Sequence, residues 1–343
     1  MIEIDGTEGG GQILRTSLAM SALTKKPFHI IHIRGARPTP GLKAQHLTAV
    51  KTVAEICDAE VTGAEMGSQE LTFKPQQIKS GKFNFDIGTA GSTALVAQSL
   101  VPAALHAPGE VHLSIIGGTE NIWAPTTTFF QEVFCYYLRM FGIDIKAETK
   151  KYGFYPRGGG LFEVKIKPAK KLKPLTLAKR GAFKKIDIWN IASDFLKERK
   201  VLERQLKGFK KGLGTDYEIG KHNKLYIEAL NPGTSIHAHA RFENCKLSAT
   251  IIGEKGKLAE IVGEECGKEL LRELKSKAAI DKRTADQLMI YMALAAADGQ
   301  GPSKIRTSEI TNHHRTNSRT IELFLPVKFK LSEKEKTIEV SKV

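Results

Sequence analysis

The chain reads as an α/β protein of the α+β kind: three βαβαββ repeat units packed together, with a small α/β domain inserted in the third. Three observations predict this. Strand-like and helix-like runs return in one order, strand, helix, strand, helix, strand, strand, at a spacing of roughly eighty residues, which is too long for a solenoid and fits copies of one unit. A glycine-containing turn joins a strand to an apolar helix in each of the first two units. A stretch of different pattern, residues 183–276, separates the opening strand of the third unit from the rest of it.

The first unit opens with the strand Met1-Ile2-Glu3-Ile4-Asp5. The turn Gly6-Thr7-Glu8-Gly9-Gly10-Gly11-Gln12 follows, then an Ala/Leu/Met run to Leu23 that forms a helix. A strand over 28–33 leads to a helix over 42–57, in which Leu47, Val50, Val53, Ala54 and Cys57 recur at helical period. Two strands around 59–63 and 69–73 close the unit. In the second, a strand over 83–87 meets the turn Gly88-Thr89-Ala90-Gly91-Ser92 and an apolar helix over 93–105. A strand over 110–116, a helix over 126–141 and strands over 144–149 and 160–167 complete it. The third opens with a strand at 175–177 and resumes with helices over 284–297 and 316–325 and strands over 327–331 and 337–340. Between them lie a strand over 185–191, a charged helix over 194–211, three strands between 224 and 252, and a helix over 258–275. The expected division is therefore a repeat-built body, 1–182 with 277–343, and an inserted domain, 183–276.

With 343 residues, 41% hydrophobic and 26% charged, the chain has the composition of a soluble globular protein. Glu3, Asp5 and Glu8 occupy the place of a basic leader region, and no apolar stretch is long enough to span a bilayer. A cytoplasmic location with no membrane partner is expected. Cys57, Cys135, Cys245 and Cys266 lie far apart without CxxC spacing, which favours buried free thiols over zinc ligands or disulfides. The net charge of +15, from 52 Lys+Arg against 37 Asp+Glu, favours a polyanionic partner. Thermal adaptation also enriches lysine, and Lys165, Lys167, Lys170, Lys171 and Lys173 read equally as a solvated edge. Residues 183–276 hold 18 Lys+Arg and 14 Asp+Glu, so most of the excess belongs to the body.

The polar window Thr311-Asn312-His313-His314-Arg315-Thr316-Asn317 cannot form core, so its imidazoles belong to a loop or helix start at a surface or cleft. There a neutral histidine can act as nucleophile, base or metal ligand; a merely solvated loop is the alternative. The first glycine turn lets backbone N–H groups approach a phosphate, and the helix that follows favours negative charge. Its spacing matches neither GxxxxGK[ST] nor GxGxxG, and no KxDG lysine motif occurs. A packed strand-to-helix turn is the other reading.

Arg34 and Arg37, beside Pro38 and Pro40 and ahead of Gln45 in the first turn of the next helix, form a candidate phosphate clamp that Arg15 can join. Alternatively they pair with glutamates at the surface. Glu8 is a candidate magnesium carboxylate. Gln98, within an apolar helix, must bond either another helix or a ligand. Asp286 and Gln287 fall in a helical first turn, where an acidic residue complements the dipole. His237 and His239 share one strand face, and without a third ligand nearby they read as an exposed polar face.

Taken in order, Glu8-Gly-Gly-Gly-Gln-Ile-Leu-Arg15, the stretch 34–42 with Gln45-His46-Leu-Thr-Ala-Val50, and Gly88-Thr-Ala-Gly-Ser92 carry a resemblance, as do Tyr152-Gly-Phe-Tyr-Pro156 with Gly158-Gly-Gly160, Ala285-Asp-Gln-Leu288, and His313-x-x-Thr316-Asn317 with Phe324-Leu-Pro326. The chain resembles the RNA 3′-terminal phosphate cyclase family from end to end, the insert being the least distinctive part. The resemblance implies ATP-dependent conversion of an RNA 3′-terminal phosphate to a 2′,3′-cyclic phosphate through a covalent histidyl-AMP, releasing pyrophosphate and AMP. It implies His313 as nucleophile, since the His-x-x-Thr-Asn pattern starts there. It implies a nucleotide pocket of Gln98, Pro125, Arg283, Thr284, Ala285, Asp286 and Gln287, and a terminal-phosphate site of Arg15, Arg34, Arg37 and Gln45. Glu8 would assist Mg²⁺ or Mn²⁺.

Some members carry an aromatic residue where this chain has Arg283; an arginine plane can also stack on a base. The implied partners are ATP and RNA with a 3′-terminal phosphate, and helical surfaces on the body leave a homodimer open. Two other classes share the repeats. One is a non-catalytic RNA-binding relative in ribosome assembly, which lacks the histidine; the other is an enolpyruvyl transferase, which uses no nucleotidyl histidine.

Overall fold

The computed structural model describes residues 1–8, 10–169 and 171–343; Gly9 of the first glycine turn and Lys170 of the lysine run lie outside the described residues. The first unit runs β1 (Ile2–Asp5), α1 (Gly11–Thr24), β2 (Phe28–Ile31), α2 (Ala44–Cys57), β3 (Glu60–Thr62) and β4 (Leu71–Lys74). Its sheet has the order β1-β2-β4-β3, with β1 and β2 parallel and the remaining pairs antiparallel. The second unit runs β5 (Gly81–Asp86), α3 (Thr93–Ala104), β6 (Val111–Gly117), α4 (Thr127–Phe129), a π-helical segment (Phe130–Phe134), α5 (Cys135–Met140), β7 (Ile145–Lys151) and β8 (Gly160–Ile166). Its order, β5-β6-β8-β7, repeats the same parallel and antiparallel pairings.

After β9 (Thr176–Leu177) come β10 (Phe183–Ser193), α6 (Val201–Leu213), β11 (Ile219–Ile227), β12 (Thr234–Phe242), β13 (Lys246–Ile252) and α7 (Ala259–Lys275). These four strands form a sheet of their own, β11-β10-β12-β13. The chain then supplies α8 (Lys282–Ala297), β14 (Ser303–Arg306), α9 (Asn312–Phe324), β15 (Val327–Ser332) and β16 (Thr337–Lys342). With β9 they build a sheet ordered β15-β16-β14-β9, in which β14 and β9 are parallel and the other pairs antiparallel. The sheets β1-β2-β4-β3, β5-β6-β8-β7 and β9-β14-β16-β15 thus share one order and one pairing pattern.

Each parallel pair needs a crossover helix, and the crossover helices carry apolar residues on nearly every side. In α3 every residue except Gln98 is buried, so it packs against neighbours on all faces. The helices meet across units: α1 packs on α2, α3 and α9, while α8 packs on α9. Strands such as β6, with the pattern Val111, Leu113 and Ile115 buried, present one face to these helices and the other outward. Residues of α1, α3, α8 and α9 meet around one cavity.

Several elements differ from the sequence-based expectation. Strand β14 occupies 303–306, where none was expected; Ser303-Lys304-Ile305-Arg306 has one strongly apolar residue and pairs on both edges. The charged helix expected over 194–211 is broken: Asp194–Leu196 is a short 3₁₀ turn and α6 starts at Val201. Helix α8 starts at Lys282, capped by Asp281 whose side chain accepts from Thr284 N at 2.8 Å. Asp286 and Gln287 therefore lie in the second turn, beyond the dipole's reach. Helix α9 starts at Asn312, four residues earlier than expected, so His313 is helical.

His237 and His239 are buried, each 1% exposed, and do not form an exposed polar face. Strand β12 is central in its sheet and covered on both sides. His237 Nδ1 shares a 2.8 Å hydrogen bond with Thr250 Oγ1, and His239 stacks on Trp189 at 5.0 Å. Burial pushes the His237 imidazole down to about 3, so it stays neutral. The four cysteines are free and buried. Among the described residues no helix is long and apolar enough to cross a membrane.

Candidate active site

The first glycine turn is closed by side chains from α1, α2 and the loop after β2. Gly10 has φ +58, and a Cβ there would lie 3.0 Å from Arg37 Nη2. At Gly11 a Cβ would lie 2.3 Å from His46 Nε2 and 2.9 Å from Arg15 Nη1. Only glycine lets both groups reach the backbone at that point. Burial, opposed by the Asp286 carboxylate, lowers the Arg15 guanidinium to about 10. Arg34 uses its Nη1 to hold its own loop, donating to Thr39 O at 2.8 Å and Gly41 O at 2.7 Å. Burial and the nearby Arg37 charge lower it.

The arginines that pair with carboxylates are Arg204, Arg241, Arg283 and Arg315. Among the described residues Arg15, Arg34 and Arg37 make no such pair, which sets aside the surface-pairing alternative for this cluster. Three guanidiniums gathered at a glycine turn and a helix start, with Asp286 near Arg15 as a balancing charge and no salt bridge on any of them among the described residues, form an anion site. His46 belongs to it as a neutral donor. Its Nδ1 accepts from Lys43 N at 3.2 Å, and burial together with Arg15, Arg34 and Lys43 pushes it down to about 3. Its Nε2, facing Gly11, carries the proton. Gln45, one residue earlier, accepts from Ser92 N at 3.0 Å and so ties the cluster to the second glycine turn.

Beside this cluster lies a cavity of about 60 Å³ lined by Gln12, Arg15 and Thr16 of α1, Gln98 and Ser99 of α3, Phe134 of the π segment, Asp286, Gln287, Ile290 and Tyr291 of α8, and Asn317 of α9. Asp286 is its hub. Gln12 Nε2 donates to Asp286 Oδ1 at 2.5 Å, and Asn317 Nδ2 donates to Asp286 O at 3.0 Å and to Oδ1 at 3.2 Å. Thr16 Oγ1 donates to Asn317 Oδ1 at 2.8 Å. Gln98 and Gln287 bond each other across the cavity, which leaves room for water and not for a nucleotide.

His313 stands at the rim. Its side chain is 53% exposed, and Nδ1 lies 3.8 Å from Asp286 Oδ2, just beyond hydrogen-bond range. His314 is fully buried and committed: Nδ1 accepts from Thr311 N at 3.0 Å and Nε2 donates to Lys282 O at 2.9 Å. Burial lowers its pKa. Of the two imidazoles, one caps a helix and the other is available.

The structure thus gathers Arg15, Gln98, Asp286 and Gln287 at the cavity, His313 at its rim, and Arg34, Arg37 and Gln45 at the adjoining turn. Arg283 points elsewhere: it pairs with Glu269 of α7 at 2.7 Å. Thr284 and Ala285 are buried within the body, and Thr284 Oγ1 donates to Asp281 Oδ2 at 2.8 Å. Pro125 precedes the N-cap of α4 and does not line the cavity. Glu8 is exposed, and among the described residues no group of three or more His, Cys, Asp or Glu could hold a metal. Gln12, His46 and Asn317 were given no role from sequence, although each adjoins a motif. Gln12 follows the glycine turn, His46 follows Gln45, and Asn317 lies one helical turn past His313.

A family model described as RNA 3′-terminal phosphate cyclase matches residues 6–331. A protein of that name from Pyrobaculum aerophilum is 42% identical over 100% of this chain and 98% of its own length. Another, from Methanopyrus kandleri, is 40% identical over 99% and 98%. A third, from Pyrobaculum neutrophilum, is 43% identical over 96% and 94%. Among solved structures, the enolpyruvyl transferase NikO from Streptomyces tendae aligns with 99% of this chain and 81% of its own at 12% identity, with a TM-score of 0.27, too low to carry an argument. The match of the family model over residues 6–331, with identities of 40–43% over nearly the whole of this chain and of its relatives, places the chain in the RNA 3′-terminal phosphate cyclase family.

Proposed function

We propose that this protein uses ATP to convert an RNA 3′-terminal phosphate into a 2′,3′-cyclic phosphate, with His313 carrying the adenylate. The observation that supports this most strongly is the division of labour in the histidine pair. His314 caps α9 with both ring nitrogens engaged, while His313 is half exposed, 3.8 Å from the cavity residue Asp286, near three arginines that form no salt bridge among the described residues.

In this reading His313 attacks the α-phosphorus of ATP through Nε2, breaking the bond to pyrophosphate and forming a phosphoramidate. Asp286, 3.8 Å from Nδ1, holds the ring and stabilises its positive charge once a modest rotation closes the gap. Gln98, Gln287 and Asp286 would line the base and ribose after the Gln98–Gln287 contact opens; we assign Arg283, Thr284, Ala285 and Pro125 at most a supporting role. A phosphate oxygen of the RNA end then attacks the adenylate phosphorus, releasing His313 and giving a mixed anhydride. Arg15, Arg34 and Arg37 offset repulsion between the two anionic groups, with the His46 N–H and Gln45 beside them. Finally the 2′-hydroxyl attacks the terminal phosphorus and expels AMP, an intramolecular step in which positioning supplies most of the acceleration.

A resident metal cage does not fit the residues present, so no step is routed through one. Mg²⁺ or Mn²⁺ would enter on the triphosphate as part of the substrate, where Glu8 is the carboxylate able to meet it. We also treat residues 183–276, which form their own sheet and carry α6 and α7, as a separate inserted domain.

Incubation with α-labelled ATP followed by denaturation tests the proposal. Acid-labile, alkali-stable label on the protein and a cyclic end on a 3′-phosphate oligoribonucleotide are expected. A deoxyribose terminus, lacking the 2′-hydroxyl, should remain uncyclised. Absence of label from the intact protein would remove the proposal.

A further inference from the structure

On two loops that contact the second glycine turn the surface carries two aromatics that packing does not explain. Trp123 is 99% exposed and holds a left-handed backbone with φ +67, a conformation disfavoured for a bulky side chain. Tyr155 is 80% exposed. An indole left wholly in water on a strained backbone forgoes the burial that ordinarily retains it, and such outliers cluster at binding sites.

Both loops rest on the second glycine turn. Asn121, two residues before Trp123, donates from Nδ2 to Ala90 O. Gly158, three residues after Tyr155, sits so close that a Cβ there would lie 2.9 Å from Ala90 Cα. That turn is joined to the anion site through the Gln45–Ser92 hydrogen bond. Arg157, between Tyr155 and Gly158 in the chain, is exposed, with its backbone N–H donating to Asn231 Oδ1 at 3.2 Å. Glu120, next to Asn121 in the chain, is 2% exposed, and burial pushes its carboxyl up to about 8, which favours the neutral form.

We propose that Trp123 and Tyr155, with Arg157, form a stacking platform for the bases of single-stranded RNA that leads to the 3′-terminal phosphate; the proposal rests on the cyclase reading. Exposed aromatic faces accompanied by the exposed Arg157 suit a flexible, charged chain that presents bases and phosphates together. The net charge of +15 agrees with this. Every base has a π-face, so the platform would accept RNA ends with little sequence preference.

The chain has two tryptophans, and the other, Trp189, stacks on His239 in the insert. A Trp189→Phe variant therefore makes Trp123 the sole indole. Titrating it with a short 3′-phosphate oligoribonucleotide at fixed salt should quench Trp123 emission in step with binding measured by anisotropy of the labelled oligomer. The Trp123→Ala/Tyr155→Ala double variant, shown folded by its thermal midpoint, should bind roughly ten-fold more weakly, about 1.4 kcal/mol. Trp123→Phe should recover most of that loss. Binding of the oligomer with unchanged emission and an unchanged Kd in the double variant overturns the platform and leaves the cyclase reading standing. No oligomer binding and no adenylate on the unmodified protein overturn that reading and the platform with it.

Discussion

Helices α2 and α9 hold equivalent places in the first and third units and start with the same device. In each, the third helical residue is a histidine whose Nδ1 accepts the N-cap backbone N–H, His46 from Lys43 at 3.2 Å and His314 from Thr311 at 3.0 Å. The residue before it differs. In α2 it is Gln45, whose side chain is bonded to Ser92 N at 3.0 Å. In α9 it is His313, half exposed, with Asp286 Oδ2 3.8 Å from Nδ1. One frame thus yields a structural strut in one unit and an available imidazole in the other. The comparison teaches that the second helical position reaches towards another unit in both, to Ser92 from Gln45 and to Asp286 from His313, while the third position closes the cap.

The largest effect expected is at the position where the two helices differ. His313→Ala should cut covalent adenylate by roughly a thousand-fold or more, read as label from α-labelled ATP. His314→Ala should retain it, and equal loss in both would break the proposed division. Asp286→Asn should slow labelling by roughly a hundred-fold and alter its pH profile, because the ring loses its charged neighbour. On the α2 side, Arg37→Ala should raise KM for a 3′-phosphate oligomer by roughly thirty-fold, about 2 kcal/mol, well beyond its effect on the labelling rate. A greater loss in labelling would move Arg37 to the nucleotide pocket.

The capping histidines give smaller changes, seen in stability. His314→Ala removes a cap and the buried Nε2 bond to Lys282 O, so a loss of about 1–2 kcal/mol is expected in denaturant melts. His46 is held neutral to about pH 3 in the folded state, whereas the unfolded imidazole takes a proton near 6.5. The unfolded chain therefore binds more protons as pH falls from about 6.5 towards 3. The contribution of His46 is complete above that window and declines through it. His46→Gln should flatten the decline of the melting midpoint below about pH 6. The smallest effect is at the periphery: Glu269→Ala, freeing the exposed Arg283, should cost about 0.5 kcal/mol or less.

The repeated units were legible because helix and strand periods, glycine turns and their order recur, and pattern reads most clearly where one face is buried. Strand β14 was not, since Ser303-Lys304-Ile305-Arg306 owes its form to pairing with β9 and β16. His313 could be separated from His314 only by family pattern; the physical reason, helix phase set by the Thr311 cap, needed coordinates. Arg283 shows the converse, because a residue next to a motif on a helix can face away from it and meet Glu269 instead. The roles of Gln12 and Asn317 depend on contacts between α1, α8 and α9, which are far apart in the chain. His237 and His239 misled because alternation places them on one face without revealing that this face is covered.

The most direct test is to find where the adenylate sits. Trypsin should release residues 307–315, which contain both histidines, and fragmentation of the labelled peptide separates them. AMP on His313 with His314 unmodified is the predicted result. AMP on His314, on His46 or on a lysine, with His313 bare, would contradict the assignment of the cleft-facing imidazole as the nucleophile.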